Sequence, residues 1–270
     1  MKYKLAAADL DGTLLDRSSK ITDATAAAVK AAEEAGLIFT ICTGRAQSSV
    51  MGFIERLELK CPVITYNGAM LIKPDGEIIY RRDLENDDAV AAYEAGAARG
   101  SDMVVWSDNR LWFNRMTPRT EFYKSMYPLA ETHVISTPDE IRTLVKRGVT
   151  KIIYIDDPEK TAENQAFADE HFGGRIAAFR SAPGYIELVR SDVSKGNALL
   201  RLAEYYGFKR EETAAFGDEK NDIPMIEAAG LGVAMANAVP ELLAVADYVT
   251  LSNAEDGVAA ALYEMIAGRI

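Results

Sequence analysis

Asp9 and Asp11 sit two residues apart at the end of an apolar run, Leu5-Ala6-Ala7-Ala8, with Gly12-Thr13 directly after them. Alternate residues of a strand share a face, so both carboxylates can meet one site. Gly12 lets the chain turn away sharply just beyond them. A second acidic cluster, Gly217-Asp218-Glu219-Lys220-Asn221-Asp222, follows another apolar run near the other end of the chain. Acids that converge from distant segments repel one another. A bound cation relieves that repulsion, and a donor set made only of oxygen points to Mg²⁺.

The elements around these residues follow a simple pattern. Residues 5–10 read as a buried strand, 22–35 as a helix with Thr22 as its N-cap and Gly36 just past its end, and 37–42 as a strand. A helix over 46–57 and a strand over 62–66 complete a βαβαβ order, which implies a parallel sheet with right-handed crossovers. Residues 70–73 and 77–81 flank Pro74-Asp75-Gly76 as a hairpin. From about 84 to 189 the segments form a separate α/β unit. It has a hairpin of 103–106 with 111–115, helices near 89–99, 138–147 and 160–171, and strands over 151–155, 175–179 and 185–189. After Asp192 the first style returns: helix 195–206, strand 213–216, helix 223–229, strand 232–234, helix 240–245, strand 248–250 and a helix from Gly257. The fold expected is α/β. Residues 1–83 and 190–270 form a doubly wound, Rossmann-like parallel sheet, and a second α/β domain, 84–189, is inserted between them.

In open α/β sheets, ligands bind beyond the carboxyl ends of the strands. Asp9 and Asp11, Thr43-Gly44-Arg45, Lys195-Gly196, and Asp218 with Asn221 and Asp222 all fall there. They supply acids, a hydroxyl, a glycine amide and a lysine, an inventory suited to Mg²⁺-assisted phosphoryl transfer. With Asp9-Leu10-Asp11-Gly12-Thr13, Thr43, Lys195 and Gly217-Asp218 with Asn221-Asp222 as four ordered motifs, the chain resembles the haloacid dehalogenase superfamily of phosphohydrolases. The resemblance extends to its Cof-like, sugar-phosphatase branch through Tyr66-Asn67-Gly68-Ala69, Val193-Ser194-Lys195-Gly196, Ala234-Met235-Ala236-Asn237-Ala238 and Glu255-Asp256-Gly257-Val258.

The resemblance implies Asp9 as the nucleophile that forms an aspartyl-phosphate. Asp11 would be the general acid and then the general base, with its backbone carbonyl on Mg²⁺. It implies a phosphate contact from the backbone N–H of Leu10. It also makes the insert a mobile cap that excludes water, with hinges near Arg82-Asp83 and Arg190-Ser191. Tyr185 and Glu187, just before the return hinge, are its candidates for facing the substrate. Asp218 is expected to ligate the metal, and Asp222 to orient a metal-bound water or Lys195. Thr43, Gly44, Asn221 and Lys195 are expected on phosphate oxygens. Asp9 is expected on the metal as well, and its alternative is metal ligation alone; the alternative for Asp11 is a turn-capping role, and for Thr43, Asn221 and Asp222 it is helix capping. Arg45 reads either as a structural ion pair or as a substrate contact. Lys195 opens a helix, where its charge opposes the helix dipole, so a partner of opposite charge is expected there. Two unit charges ~4 Å apart attract by ~4 kcal/mol at an effective dielectric of ~20, enough to hold Asp9 beside an incoming dianion. Two departures from the branch are Ala236, where glycine is common, and the extra charges Glu219-Lys220.

A net charge of −11 argues against general binding to nucleic acid or anionic membranes. No apolar stretch is long enough to span a bilayer, and the opening residues read as a strand rather than a secretion signal. Cys42 and Cys61 lie in apolar contexts and read as buried reduced thiols of a cytoplasmic protein. His133 and His171 are far apart, which disfavours zinc. Cys42 and Arg45 lie too close together for a cysteine-phosphatase loop.

The expectation is a Mg²⁺-dependent phosphoric monoester hydrolase acting on a small phosphorylated metabolite, phosphorylated sugars first, as a monomer or homodimer. The alternatives are a phosphomutase of the same superfamily and a Mg²⁺-dependent phospho-receiver or regulatory protein. Asp11 speaks against the last, because a dedicated acid/base hastens the hydrolysis that a switch must delay.

Overall fold

A strand of small residues, Leu-Ala-Ala-Ala, can lie between two neighbours and beneath helices on both sides, and Leu5–Ala8 is fully buried along its length. The computed structural model describes residues 2–128 and 130–270. It divides into two units, Met1–Tyr80 with Ser194–Ile270, and Arg81–Val193. In chain order the strands are β1 (Leu5–Ala8), β2 (Ile38–Ile41), β3 (Val63–Thr65), β4 (Met70–Ile72), β5 (Ile78–Arg81), β6 (Asp102–Ser107) and β7 (Arg110–Phe113). They continue with β8 (Thr132–Val134), β9 (Lys151–Ile155), β10 (Ile176–Ala182), β11 (Tyr185–Arg190), β12 (Thr213–Gly217), β13 (Leu231–Ala234) and β14 (Tyr248–Val249).

The first unit is built on a five-stranded parallel sheet in the order β14-β13-β12-β1-β2. Ala8 stands opposite Ile41 on β2 and Phe216 on β12, so β1 and β2 end in register, one residue before β12 does at Gly217, and the three strands release their next residues at one edge. Helix Asp23–Glu34 is capped by Thr22, whose Oγ1 accepts from Thr25 N at 3.0 Å, and the chain leaves it through Gly36 at φ +94°. Helix Lys195–Tyr205 is capped by Ser194 and buries Ala198, Leu199, Leu202 and Ala203 against the sheet core. Its Gly196 admits helix Ile223–Ala228: a Cβ there would lie 2.1 Å from the Pro224 carbonyl oxygen.

Three expectations need correction in this unit, the first being the strand over 5–10, which ends at Ala8. The helix over 46–57 is a short 3₁₀ turn, Gln47–Ser49, followed by helix Met51–Leu57. The third strand does not extend the parallel sheet as a full member. β3 joins it through a single parallel bridge, Cys42 to Ile64, and pairs antiparallel with β4 in a small sheet ordered β3-β4-β5. The cause is the turn after β3, where Tyr66, Asn67 and Gly68 all have positive φ and fold the chain back on itself.

The second unit is a six-stranded sheet in the order β10-β11-β9-β6-β7-β8. The β6–β7 hairpin turns through Asp108 and Asn109, both left-handed, as a right-twisted two-residue hairpin requires. Helices Asn86–Ala98 and Pro158–His171 help cover one face through Ala89, Val90, Tyr93 and Ala168 against Val105, Ile152, Tyr154 and Leu188. Arg82 and Asp192, beside the expected hinges, pair at 2.5 Å. Two elements were not anticipated. Helix Pro118–Ser125 is polar apart from Phe122 and Tyr123, and β8 is a three-residue strand at the sheet edge, parallel to β7. Neither has an apolar run long enough to mark it.

Candidate active site

The chain leaves β1 at Asp9, whose amide donates to the Phe216 carbonyl at 3.0 Å. It then makes a wide turn, closed by Leu14 N to Asp9 O at 3.1 Å and Leu15 N to Leu10 O at 2.9 Å. Leu10 is buried within it. Asp11 is extended (φ −76°, ψ 121°) and Gly12 is left-handed (φ 78°, ψ −7°). Glycine is needed at position 12 for space as well, because a Cβ would lie 2.1 Å from Asp218 Oδ2. The turn thus seats its own carboxylates against those of β12, and Thr13 Oγ1 donates to Asp218 Oδ1 at 2.7 Å.

Lys195, 1% exposed, holds the centre of this arrangement. Its Nζ donates to Asp9 Oδ1 at 2.7 Å and to Asp222 Oδ1 at 2.6 Å. Asp222 Oδ2 accepts from the backbone amides of Asp218 and Glu219, each at 3.1 Å. One oxygen from each of Asp9, Asp218 and Asp222 lies within 4.8 Å of the others, and all three residues are buried. Three carboxylates therefore face one ammonium out of water. Burial pushes the Asp9 carboxyl up to about 7, with Lys195 pulling the other way and Asp222 adding to the rise. Burial likewise pushes Asp218 up to about 6, against the hydrogen bond from Thr13. Burial disfavours the Lys195 ammonium, but Asp9 and Asp222 outweigh it and raise its pKa above the ordinary value.

An excess of buried carboxylates with only oxygen donors fits a hard divalent cation. Asp222 has both oxygens engaged by protein donors, so Asp9 and Asp218 are the carboxylates placed to take one. Asp222 meanwhile orients Lys195 and the Asp218 amide.

Asp11 is not part of the buried cluster. β1 ends at Ala8, so the strand-face argument does not carry to residue 11. Its carboxylate, 58% exposed, is gripped by Arg45, with Nε to Oδ2 at 2.8 Å and Nη2 to Oδ1 at 2.5 Å. Of the two readings of Arg45, the ion pair is the one the structure contains.

Thr43 and Gly44 emerge from β2. The Thr43 amide donates to Ile64 O at 2.9 Å, and its Oγ1 accepts from Arg45 N at 3.2 Å, which leaves the hydroxyl proton to donate. Asn221 Nδ2 donates to Asn67 Oδ1 at 3.1 Å. Asn67 was not anticipated as a site residue. It is left-handed at φ 56°, its amide donates to Thr43 O at 3.0 Å, and its side chain lies where a Cβ on Gly44 would come within 2.9 Å. Asn67 thus joins the Thr43 loop to Asn221. Its sequence signals were the Asn-Gly pair after the third strand, a pair that tolerates left-handed backbone, and its place in the Tyr66-Asn67-Gly68-Ala69 motif, neither of which assigned it a role. Thr13 and Asn237 were also missed in this role. Asn237 Nδ2 donates to the Gly12 carbonyl at 2.8 Å and steadies the turn.

A family model described as haloacid dehalogenase-like hydrolase matches residues 6–262. The Bacillus subtilis (strain 168) protein named "Putative phosphatase YxeH" is 34% identical over 275 residues, spanning 99% of this chain and 100% of that one. From the same organism, "5-amino-6-(5-phospho-D-ribitylamino)uracil phosphatase YwtE" is 29% identical over 286 residues, spanning 98% of this chain and 99% of that one. The crystal structure of a haloacid dehalogenase-like hydrolase from Bacteroides thetaiotaomicron superposes with a TM-score of 0.84 at 29% identity, covering 98% of this chain and 100% of that one.

Proposed function

The chain belongs to the haloacid dehalogenase-like hydrolases, and on that premise we propose that it is a Mg²⁺-dependent phosphatase of small phosphate monoesters that works through an aspartyl-phosphate on Asp9. The observation that carries this reading is the buried Asp9 carboxylate held at 2.7 Å by Lys195 beside Asp218 and Asp222. A buried nucleophile of this kind needs fixed positive charge to meet an anionic substrate.

In the first half-reaction an Asp9 oxygen bonds to phosphorus as the bond to the leaving oxygen breaks. Asp11 hands its proton to that oxygen, so an alcohol departs. In the second half-reaction Asp11 takes a proton from water as the water oxygen bonds to phosphorus, and the bond to Asp9 breaks to release phosphate. Mg²⁺ held by Asp9, Asp218 and the Asp11 backbone carbonyl would offset the charge gathered on the phosphoryl oxygens. The amides of Leu10 and Gly44, the Thr43 hydroxyl, Lys195 and the Asn221 amide bind those oxygens, and Asn67 orients Asn221.

Phosphorylated sugars and polyols are the leading substrate class, supported by the relative YwtE, whose name specifies a phosphoribityl compound. The inserted unit is assigned the selection of the leaving group and the exclusion of water. The partner is a small phosphorylated metabolite, and the enzyme acts as a monomer or homodimer in the cytoplasm. The buried free thiols Cys42 and Cys61 support a reducing compartment. Among the described residues, no helix is long and apolar enough to cross a membrane.

The test is a panel of sugar phosphates assayed with Mg²⁺ and with a chelator. Release of inorganic phosphate that requires the metal is expected. An isomeric sugar phosphate in place of free phosphate, or turnover indifferent to the chelator, would overturn the proposal.

A further inference from the structure

We propose that Arg45 is the positioning residue for Asp11, a guanidinium fork that fixes where the acid/base carboxylate stands. The inference rests on the reading of Asp11 as proton donor and acceptor and goes beyond it by assigning the group that aims it.

Asp11 needs such a group. It occupies an exposed turn, and a short side chain there samples several rotamers unless something holds it. Arg45 meets both carboxylate oxygens, with Nε to Oδ2 at 2.8 Å and Nη2 to Oδ1 at 2.5 Å. Two parallel hydrogen bonds fix the plane of the carboxylate as well as its distance, which a lysine cannot do. Arg45 is itself anchored. Its amide donates to Thr43 Oγ1 at 3.2 Å, its carbonyl accepts from Tyr66 N at 3.1 Å, and its guanidinium lies 5.4 Å from the Phe53 ring centroid. Tyr66, 1% exposed, has φ 52°, a conformation that bulky side chains avoid and that surrounding structure must impose. The anchor of Arg45 is thus a strained, buried turn, while the pair it makes is exposed. Exposed ion pairs add little to stability. The structure therefore contains a rigidly mounted arginine whose pairing does little for the fold and falls on the residue assigned to move protons.

In both half-reactions the proton passes between Asp11 and an oxygen bonded to phosphorus, so a misplaced carboxylate slows both. The ratio kcat/KM reports only the steps through transfer to Asp9. An alkyl phosphate needs its leaving oxygen protonated there, whereas p-nitrophenolate departs without a proton.

The experiment measures kcat/KM of the full-length, Mg²⁺-loaded enzyme on a hydrolysed sugar phosphate and on p-nitrophenyl phosphate. The proteins are wild type, Arg45→Ala, Arg45→Lys, Asp11→Asn and Arg45→Ala/Asp11→Asn, with the inhibition constant of inorganic phosphate and the unfolding midpoint of each. Arg45→Ala is expected to lose about 10- to 100-fold on the sugar phosphate and far less on p-nitrophenyl phosphate. Phosphate inhibition and the unfolding midpoint should stay near wild type. Arg45→Lys should restore little, and the double variant should fall no further than Asp11→Asn alone. Equal losses on both substrates with weaker phosphate inhibition would make Arg45 a phosphoryl ligand and overturn the proposal. Full restoration by lysine, or a further loss on top of Asp11→Asn, would also overturn it. If Asp11→Asn discriminates between the substrates and Arg45→Ala does not, only the role of Arg45 fails. If Asp11→Asn shows no leaving-group dependence, the acid/base reading of Asp11 fails, and this inference with it.

Discussion

Lys195 and Lys151 are both buried, at 1% and 2% exposure, yet they sit among different charges. In the inserted unit Lys151 on β9 meets Glu187 on β11 at 2.9 Å across neighbouring strands. In the first unit Lys195 meets Asp9 and Asp222, with Asp218 close by, one positive charge against three acids drawn from segments about 200 residues apart. A matched buried pair is neutral as a unit and can be exchanged for apolar side chains at little cost. An unmatched cluster is costly wherever it stands, and here burial, the chief cause of the raised pKa values of Asp9 and Asp218, adds to the repulsion from Asp222. Folding alone gives no reason to assemble it. A ligand would correct the charge imbalance of the first cluster, which is what the proposed function asks of it, whereas the second pair needs no ligand for balance.

The comparison can be broken most sharply at Asp9. Asp9→Asn should lower turnover at least ~1,000-fold, as removal of a single catalytic group does elsewhere. Without metal at pH 8 it should be no less stable than wild type, since it removes one of the crowded charges. Loss of the fold in this variant would show that the carboxylate is structural. Lysine removal comes next. Lys195→Met should cost about 3–5 kcal/mol by urea unfolding, because it strands buried carboxylates. Lys151→Met alone should cost a similar amount by stranding Glu187, whereas Lys151→Met/Glu187→Leu should return to within about 2 kcal/mol of wild type. If that double variant is stable but raises KM for sugar phosphates, Glu187 takes part in substrate recognition and the contrast between the two lysines fails.

The smallest effect is one of pH. Asp9 and Asp218 bind protons more tightly folded than unfolded. Their contribution to stability is therefore present in acid and is lost as pH rises through about 6 to 7. Mg²⁺ competes with those protons, so the rise in unfolding midpoint given by Mg²⁺ should grow between pH 5.5 and 8. A rise independent of pH would remove these two carboxylates from the metal site.

Much of the architecture was legible because it rests on local signals. Thr22 and Gly36 bracket their helix as capping chemistry requires, and the parallel order follows from apolar runs alternating with helical patterns. The helix pattern after Asp192 likewise placed Lys195 at a helix start, where the structure has it. What could not be read depends on contacts distant in sequence. Leu10 continues the apolar run, so the pattern carries the strand as far as residue 10. Hydrogen bonds across five residues from Asp9 and Leu10 end the strand early and turn Asp11 outward. Nothing local announces that Arg45 will find Asp11, or that Asn67 will bridge Thr43 and Asn221. β8 and helix Pro118–Ser125 lack the apolar spacing that reveals an element.

The central claim is that Asp9 carries the phosphoryl group. Acid quenching during steady-state turnover of a sugar phosphate with Mg²⁺, borohydride reduction and peptide mapping by mass spectrometry test it directly. The account predicts homoserine at position 9, the reduction product of an aspartyl-phosphate, and none without substrate. A turning-over enzyme with an unmodified Asp9, or with the label on another residue, would contradict it.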